Sequence, residues 1–337
     1  MRSKISSSPY KIRILRGGIL YLLTFLGVLT LNFFLPRAMP GNPIDALLGP
    51  DSQISMSIEL ETREKLLKYY QLDRPLSRQY LHYLAQTFQG KLGWGIYFQQ
   101  PVGDLIKKRL KWSVFLIIIS SLLSISVALP LAAFSTMSRA KRVDTTLLTT
   151  FLFLSSVPVF LSAMLFLVVF SVKLGWLPLA GAMGELAGGD SFLYKLKDIF
   201  VHSLGPVLVL CLAESPALYL VGRNSMLNAL DQPWLEFAVL RGLSKTRLLV
   251  AYLIPAGILP VITRLGMHMA FLIAGTVFVE TIFSYPGLGR LLFQAVQVRD
   301  YPVLQGVFLV MTIAVLCANF LVDLSYGYLD PRIGERE

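Results

Sequence analysis

Residues 113–138 read SVFLIIISSLLSISVALPLAAFSTMS, a run without a single Asp, Glu, Lys, Arg or His. A bilayer core takes about 20 apolar residues of helix, so this run is a spanning helix by length and composition. Working outward from it, charge-free stretches of similar length recur at 17–35, 145–172 and 302–322. Two further stretches carry isolated ionisable groups: 203–222 holds Glu214, and 265–283 holds His268 and Glu280. Together they predict an all-α polytopic membrane protein with six transmembrane helices. Pro130, Pro158 and Pro216 fit that prediction, because neighbouring helices re-satisfy the backbone groups that proline frees.

Composition agrees. Of 337 residues, 55% are hydrophobic and 15% charged, with a mean hydropathy of +0.63, against about 25% charged in soluble domains. A soluble enzyme on one membrane anchor is excluded. The excess of 31 Lys and Arg over 20 Asp and Glu reads as basic loops on one membrane face rather than a nucleic-acid surface. Cys211 and Cys317 lie in apolar runs, and His82, His202 and His268 are dispersed, so neither a disulfide framework nor a metal centre is expected. The first apolar block is too long for a cleavable signal peptide and lacks a small-residue cleavage site.

Basic residues in short loops set the orientation. Arg2, Lys4, Lys11, Arg13 and Arg16 precede the first stretch; Arg139, Lys141 and Arg142 join the second to the third. Arg223, Arg241, Lys245, Arg247 and Arg264 lie between the fourth and fifth, and Arg332 and Arg336 end the chain. Six alternating helices put all of these on one side, so both termini are expected in the cytoplasm. Three regions follow: 1–35, the N-terminus and first helix; 36–112, a structured extracytoplasmic segment; and 113–337, the remaining five helices with a cytoplasmic loop at 224–257 and the tail. In the outer segment Leu76, Tyr80, Leu81, Leu84 and Phe88 recur at helical spacing and stop at Gly90, a helix with a C′ glycine. In PVGDLIKKRLKW (101–112), Val102, Leu105, Ile106 and Leu110 share a face bordered by Lys107, Lys108, Arg109 and Lys111. Two readings stay open there: a helix lying in the membrane interface, and one packed on the outer segment.

Residues 231–255, DQPWLEFAVLRGLSKTRLLVAYLIP, carry the functional signal. Asp231 can cap a helix, Pro233 suits its first turn, Gly242 ends it and Ser244 can cap the next. Trp234, Leu235, Phe237, Ala238, Val239 and Leu240 leave no polar face, and such a helix has to be buried. It is too short to cross a bilayer. One face can rest on its own bundle while the other takes a partner; the alternative is a connector packed wholly on its own bundle.

These residues resemble the "EAA" loop of ATP-binding-cassette (ABC) importer permeases: Glu-Ala-Ala, three residues, Gly, nine residues, Ile-x-Leu-Pro. Glu236, Phe237, Ala238, Gly242, Tyr252, Ile254 and Pro255 occupy those positions. Phe237 stands for the first Ala, Tyr252 for Ile and Ile254 for Leu. Further segments resemble the peptide/nickel branch of the family: LPRAMPGNPIDALLG, LDRPLSRQYLHYL, GKLGWGI, LGWLPLAG, VETIFSYPGLGRLLFQAVQVRDYPVLQGVF and LVDLSYGYLDPRI. The likeness covers residues 13–333 and is to the "B" permease of dipeptide and oligopeptide systems. It implies a heterodimer with a homologous second permease, two cytoplasmic ATPase subunits that bind ATP and Mg, an extracytoplasmic solute-binding protein, and surrounding membrane lipid. It implies no cofactor or catalysis in this chain, a bacterial inner-membrane location, and an ATPase-coupling role for Glu236, Phe237, Ala238, Leu240 and Gly242.

An ionisable group at bilayer depth defaults to a functional hypothesis. Glu214, one residue before Ser-Pro, is the candidate for the translocation path; a hydrogen-bonded structural carboxyl is the competing reading. For Glu280 a structural role is favoured, accepting hydrogen bonds from the SYPGLGR turn. His268 is weighed as an interhelical histidine against a gate. Residues 290–298 form an amphipathic helix, either docking a binding protein or capping the bundle. A nickel- or metal-chelate importer of the same family and a self-sufficient secondary transporter are the alternatives; the latter usually shows internal repeats, and none is visible. A membrane protease would need HExxH or a nucleophile–base pair, which the sequence lacks.

Overall fold

The computed structural model describes residues 8–38, 73–138, 141–184 and 192–329. Arg2, Lys4, Arg139, Arg332 and Arg336, and residues 39–72 of the expected outer segment, lie outside the described residues. Every regular element among the described residues is helical. Helices long and apolar enough to cross a membrane are Leu20–Arg37, Val102–Met137, Phe192–Leu230, Lys245–Met267 and Tyr301–Leu321, and a bent pair makes a sixth. The chain divides into two units.

The first unit comprises residues 1–108 and 292–316. Helix α1 (Ser8–Arg37) packs on α2 (Leu76–Phe88). Phe33 is fully buried between them, its ring 5.2 Å from Tyr80 and 5.6 Å from Tyr83. The Asn32 amide donates to Tyr83 Oη and to the Gln305 carbonyl. Helix α2 ends at Gly90 with φ +72°, where Lys91 N–H reaches back to the Gln86 carbonyl, the geometry only glycine adopts without strain. Its periodic apolar residues are not all covered: Leu76, Leu81 and Phe88 stay exposed. Helix α3 (Val102–Met137) starts in this unit and runs unbroken for 36 residues. Val102, Leu105 and Ile106 are buried, and a Cβ at Gly306 would lie 2.5 Å from Val102. The 101–112 stretch is therefore the packed first turns of a spanning helix, and the interface-lying alternative is set aside.

The second unit comprises residues 109–291 and 317–337. Helix α4 (Lys141–Ser155) is followed by α5 (Val159–Phe166), which continues as a π-helical turn to Lys173. The two halves bend by 95°, so the expected single span at 145–172 is a broken one. Pro158 explains the break: it has no N–H to donate and pushes Val157 away from helical angles. Helix α6 (Phe192–Leu230) is 39 residues long and central, packing on α4, α5 and two later helices, α9 and α10. It stays helical through Pro206 and Pro216. After α7 (Pro233–Leu240) come α8 (Lys245–Leu248), a π-helical turn at Leu249–Leu253 and α9 (Ile254–Met267). Helix α10 (Met269–Ile282) follows a break at His268.

The expected fifth span at 265–283 is therefore divided, and the continuous apolar helix in this region is Lys245–Met267. The π turn just before Pro255 relaxes the i−4 bonding a proline interrupts. Pro260 frees the Ala256 carbonyl, and that carbonyl accepts a hydrogen bond from Ser225 Oγ on α6 at 2.8 Å. At Gly257 α9 comes close to α6: an added Cβ would displace the flexible end of the Met226 side chain and press on Leu129 Cδ1 at 3.3 Å. Helices α11 (Leu288–Gln297) and α12 (Tyr301–Leu329) complete the chain.

Candidate docking helix and buried carboxylates

Helix α7 starts with Pro233 in its first turn, after Gln232 rather than Asp231, and no side chain caps it. Leu235 and Ala238 turn inward, 2% and 4% exposed, and Leu235 joins the core with Met226, Ala229 and Leu253. Trp234 stacks on Tyr252 with ring centroids 6.1 Å apart. The opposite side is bare: Phe237 is 67% and Leu240 75% exposed, with Val239 exposed beside them. Glu236 is exposed in the first turn, where a carboxylate complements the positive end of the helix dipole. Gly242 has φ +73° and its N–H donates to the Val239 carbonyl. Ser244 caps α8 by accepting from Arg247 N–H at 3.4 Å. Burying a Phe or Leu side chain contributes about 1.5–3 kcal/mol, and here two of them sit unburied on one short, well-anchored helix.

Glu214 lies on α6, 8% exposed, and its Oε1 has no hydrogen-bond partner among the described residues. Arg264 on α9 is a cation acting on it, and on His268; the Arg264 Nε is also buried without a partner among the described residues. His268 is half-buried at the break between α9 and α10. From Glu214 the helix runs on for 16 residues to Leu230, about 24 Å at 1.5 Å per residue, and then into α7. One rod thus connects the buried carboxylate to the bare helix.

Glu280, on α10, is fully buried and fully engaged. Its Oε1 accepts from Ser113 Oγ at 2.6 Å and its Oε2 from Arg290 N–H at 3.1 Å. Ser113 Oγ in turn accepts from Leu288 N–H at 2.7 Å. The carboxylate therefore caps the N-terminus of α11, where free N–H groups and the dipole favour an anion. A Cβ at Gly287 would fall 2.2 Å from the carboxyl group, and one at Gly289 2.5 Å from Val277 Cα. The two glycines of SYPGLGR are the space the carboxylate occupies.

One cluster escaped sequence reasoning. Asp144 on α4 accepts from Nε and Nη2 of the Arg223 guanidinium on α6, at 2.8 and 2.6 Å. Ser135 on α3 donates to Asp144 and accepts from Tyr219 Oη, and Phe151 stacks on Tyr219 at 4.2 Å. Asp144 and Arg223 are 79 positions apart and each looked like an ordinary loop charge; nothing local marks them as a pair.

A multi-pass set of helices with a bare apolar helix between two long ones suits a subunit that works with partners. The model of the family "binding-protein-dependent transport system inner membrane component" matches residues 128–335. A putative peptide permease of Brucella suis is 33% identical over 309 residues, covering 91% of this chain and 94% of that protein. The oligopeptide transport system permease of Bacillus subtilis is 30% identical, covering 95% and 98%. The dipeptide transport system permease of Escherichia coli is 30% identical, covering 96% and 99%. The chain belongs to the binding-protein-dependent, ABC-type family of inner-membrane permeases. It is a multi-pass inner-membrane importer subunit, itself non-catalytic, and membership implies a solute-binding protein and an ATPase as partners.

Proposed function

We propose that this chain is the B-type permease of a peptide importer, pairing with a homologous second permease over two ATPase subunits, and that α7 is its contact with the motor. The carrying observation is the two-sided α7: Leu235 and Ala238 hold it to the bundle while Phe237 and Leu240 stand free. Aromatic and aliphatic anchors of this kind fill grooves at protein interfaces. Closure of the motor around ATP and Mg, both held by the ATPase subunits, pushes α7, and α6 carries the displacement toward Glu214. A rigid element touched by both partners is what such coupling requires. Glu214 and Arg264 then face the path as two groups of opposite charge, complementary to a peptide's ammonium and carboxylate ends. Glu280 serves architecture, and His268 marks the hinge between α9 and α10. The names of the relatives, peptide, oligopeptide and dipeptide permeases, support peptide as the cargo class.

Replacing Phe237 by Asp, or Gly242 by Val, leaves the bundle folded but releases the ATPase and abolishes substrate-stimulated ATP hydrolysis in proteoliposomes. Full retention of ATPase and transport in both variants would reduce α7 to a connector. Both termini lie in the cytoplasm and residues 36–112 outside, as the loop charges favour. With the exposed Cys317 replaced by Ser, a thiol reagent added to intact cells labels Gln89→Cys, whereas Lys245→Cys reacts only after permeabilisation. The reverse pattern inverts the topology.

A further inference from the structure

The first unit contains a cavity of about 410 Å³ whose lining includes Arg37, His82, Lys91, Trp94, Tyr301 and Gln305. Three basic side chains line it, and no acidic one does among the described residues. Arg37 is the last residue of α1; its guanidinium lies 3.7 Å over the Phe33 ring and donates to Gln79 Oε1 and to the Phe33 carbonyl. Those acceptors are neutral, so among the described residues the charge is oriented but not neutralised. Gln305 adds an amide donor: its buried Nε2 has no hydrogen-bond partner among the described residues. A cavity presenting a fixed guanidinium, an ammonium, an imidazole and a spare amide N–H suits an anion with several acceptor oxygens.

Position narrows the choice. The apolar stretch Leu20–Arg37 ends at Arg37 and the stretch Tyr301–Leu321 begins at Tyr301, so the cavity sits where two spanning helices leave the hydrocarbon. Exposed Trp94 and Tyr97 beside it are the residue types enriched at that level of a membrane. On the preceding turns of α1, Leu31, Phe34 and Leu35 are exposed, an apolar track running from the cavity into the bilayer. A ligand satisfying both surroundings carries a phosphate at one end and acyl chains at the other.

We propose that this cavity holds the phosphate headgroup of an anionic phospholipid. Charge-assisted hydrogen bonds from a guanidinium and an ammonium are what a phosphate's oxygens take, in whichever leaflet the headgroup lies. The lipid would tie α1, α2 and the start of α12 together at the membrane boundary. The inference uses only the multi-pass character of the chain, so it survives if α7 proves not to contact the ATPase.

The test uses the full chain in its assembled complex, reconstituted in nanodiscs of mixed phosphatidylglycerol and phosphatidylcholine, then extracted and weighed by native mass spectrometry. The wild-type protein retains phosphatidylglycerol in preference, and loss of one cation, in Lys91→Gln or Arg37→Gln, lowers retention about fivefold. Inorganic phosphate and a dipeptide, added separately, do not displace the lipid. If Arg37→Gln lowers the yield of folded complex, Lys91→Gln decides alone, because Lys91 is exposed. Equal retention by wild type and Lys91→Gln, or displacement by inorganic phosphate or dipeptide, overturns the proposal.

Discussion

Glu214 and Glu280 are both buried in apolar helices of the same unit, yet their surroundings are opposite. Glu280 has a serine hydroxyl, a backbone N–H and a two-glycine cradle around it. Glu214 has an oxygen with no partner and a cation, Arg264, that is itself incompletely satisfied. An acidic residue at bilayer depth costs about 2.5–3.5 kcal/mol on insertion scales, and depth alone does not say what the residue is for. The hydrogen-bond inventory does. A carboxylate whose acceptors are filled holds the fold together; one with an acceptor left over is available to something that arrives.

That contrast breaks first at Glu280, where the largest effect is expected. Glu280→Ala strands the Ser113 hydroxyl and the Arg290 N–H in an apolar interior, at about 1–3 kcal/mol per group, and leaves a cavity beside the glycines. The folded complex should be destabilised by about 3–5 kcal/mol, read as a lowered unfolding temperature and poor recovery of the purified protein. Gly289→Ala, aimed at the same cradle, should act in the same direction because its Cβ meets backbone at Val277. An unchanged unfolding temperature in both would place the architecture elsewhere.

Glu214→Gln tests the other half. Amide for carboxylate keeps the volume and loses the charge, so stability and basal ATP hydrolysis should stay within about 0.5 kcal/mol and about twofold, while peptide uptake in proteoliposomes falls about tenfold, the size expected for losing one charge-assisted contact. Loss of stability without a transport defect would make Glu214 a second Glu280.

The smallest effect concerns Asp300, a third buried carboxylate, in the first unit. It accepts from Tyr97 N–H at 2.8 Å and from Val303 N–H at 3.3 Å, resembling Glu280 in being engaged. Burial nevertheless holds its carboxyl above the usual aspartate range, with the backbone hydrogen bonds opposing the rise. A raised folded-state pKa means the native chain binds the proton more tightly than the unfolded chain. Its contribution is complete below the ordinary value of about 3.9 and declines as pH rises through the elevated one. Asp300→Asn should therefore flatten the decline of stability with pH just above about pH 4, measured by thermal unfolding across a pH series. An identical slope in variant and wild type would show that Asp300 keeps an ordinary pKa.

The sequence made the long features legible and missed the relations between them. Apolar length located α3, α6 and α12, and Pro233 and Gly242 bracketed α7 to within a residue or two. Which side of α7 is bare was not legible, since a helix apolar on every face has no periodicity to read. Prolines do not have one effect. Pro158 was accepted inside a span and produces a 95° bend. Pro255 and Pro260 lie in continuous helix, because a π turn and the Ser225 hydroxyl absorb what they remove. Pairing across long separations, Asp144 with Arg223 or Ser113 with Glu280, leaves no mark in local spacing. Glycines were read as turn formers, whereas Gly287 and Gly289 are absences shaped to a carboxylate.

The π turn at Leu249–Leu253 has a consequence for how this chain tolerates change in length. Each π turn houses one residue more than the α-helix around it. Deleting a single residue there restores regular winding at no loss of backbone hydrogen bonding, and because a π turn spends its extra residue within one turn, the helix on either side keeps nearly its azimuth and its length. The same deletion in the regular winding of α9 would instead rotate everything upstream by about 100° and shorten the rod by about 1.5 Å. The segment thus acts as a length buffer: the chain can lose a residue there and still present α7 at almost the same azimuth.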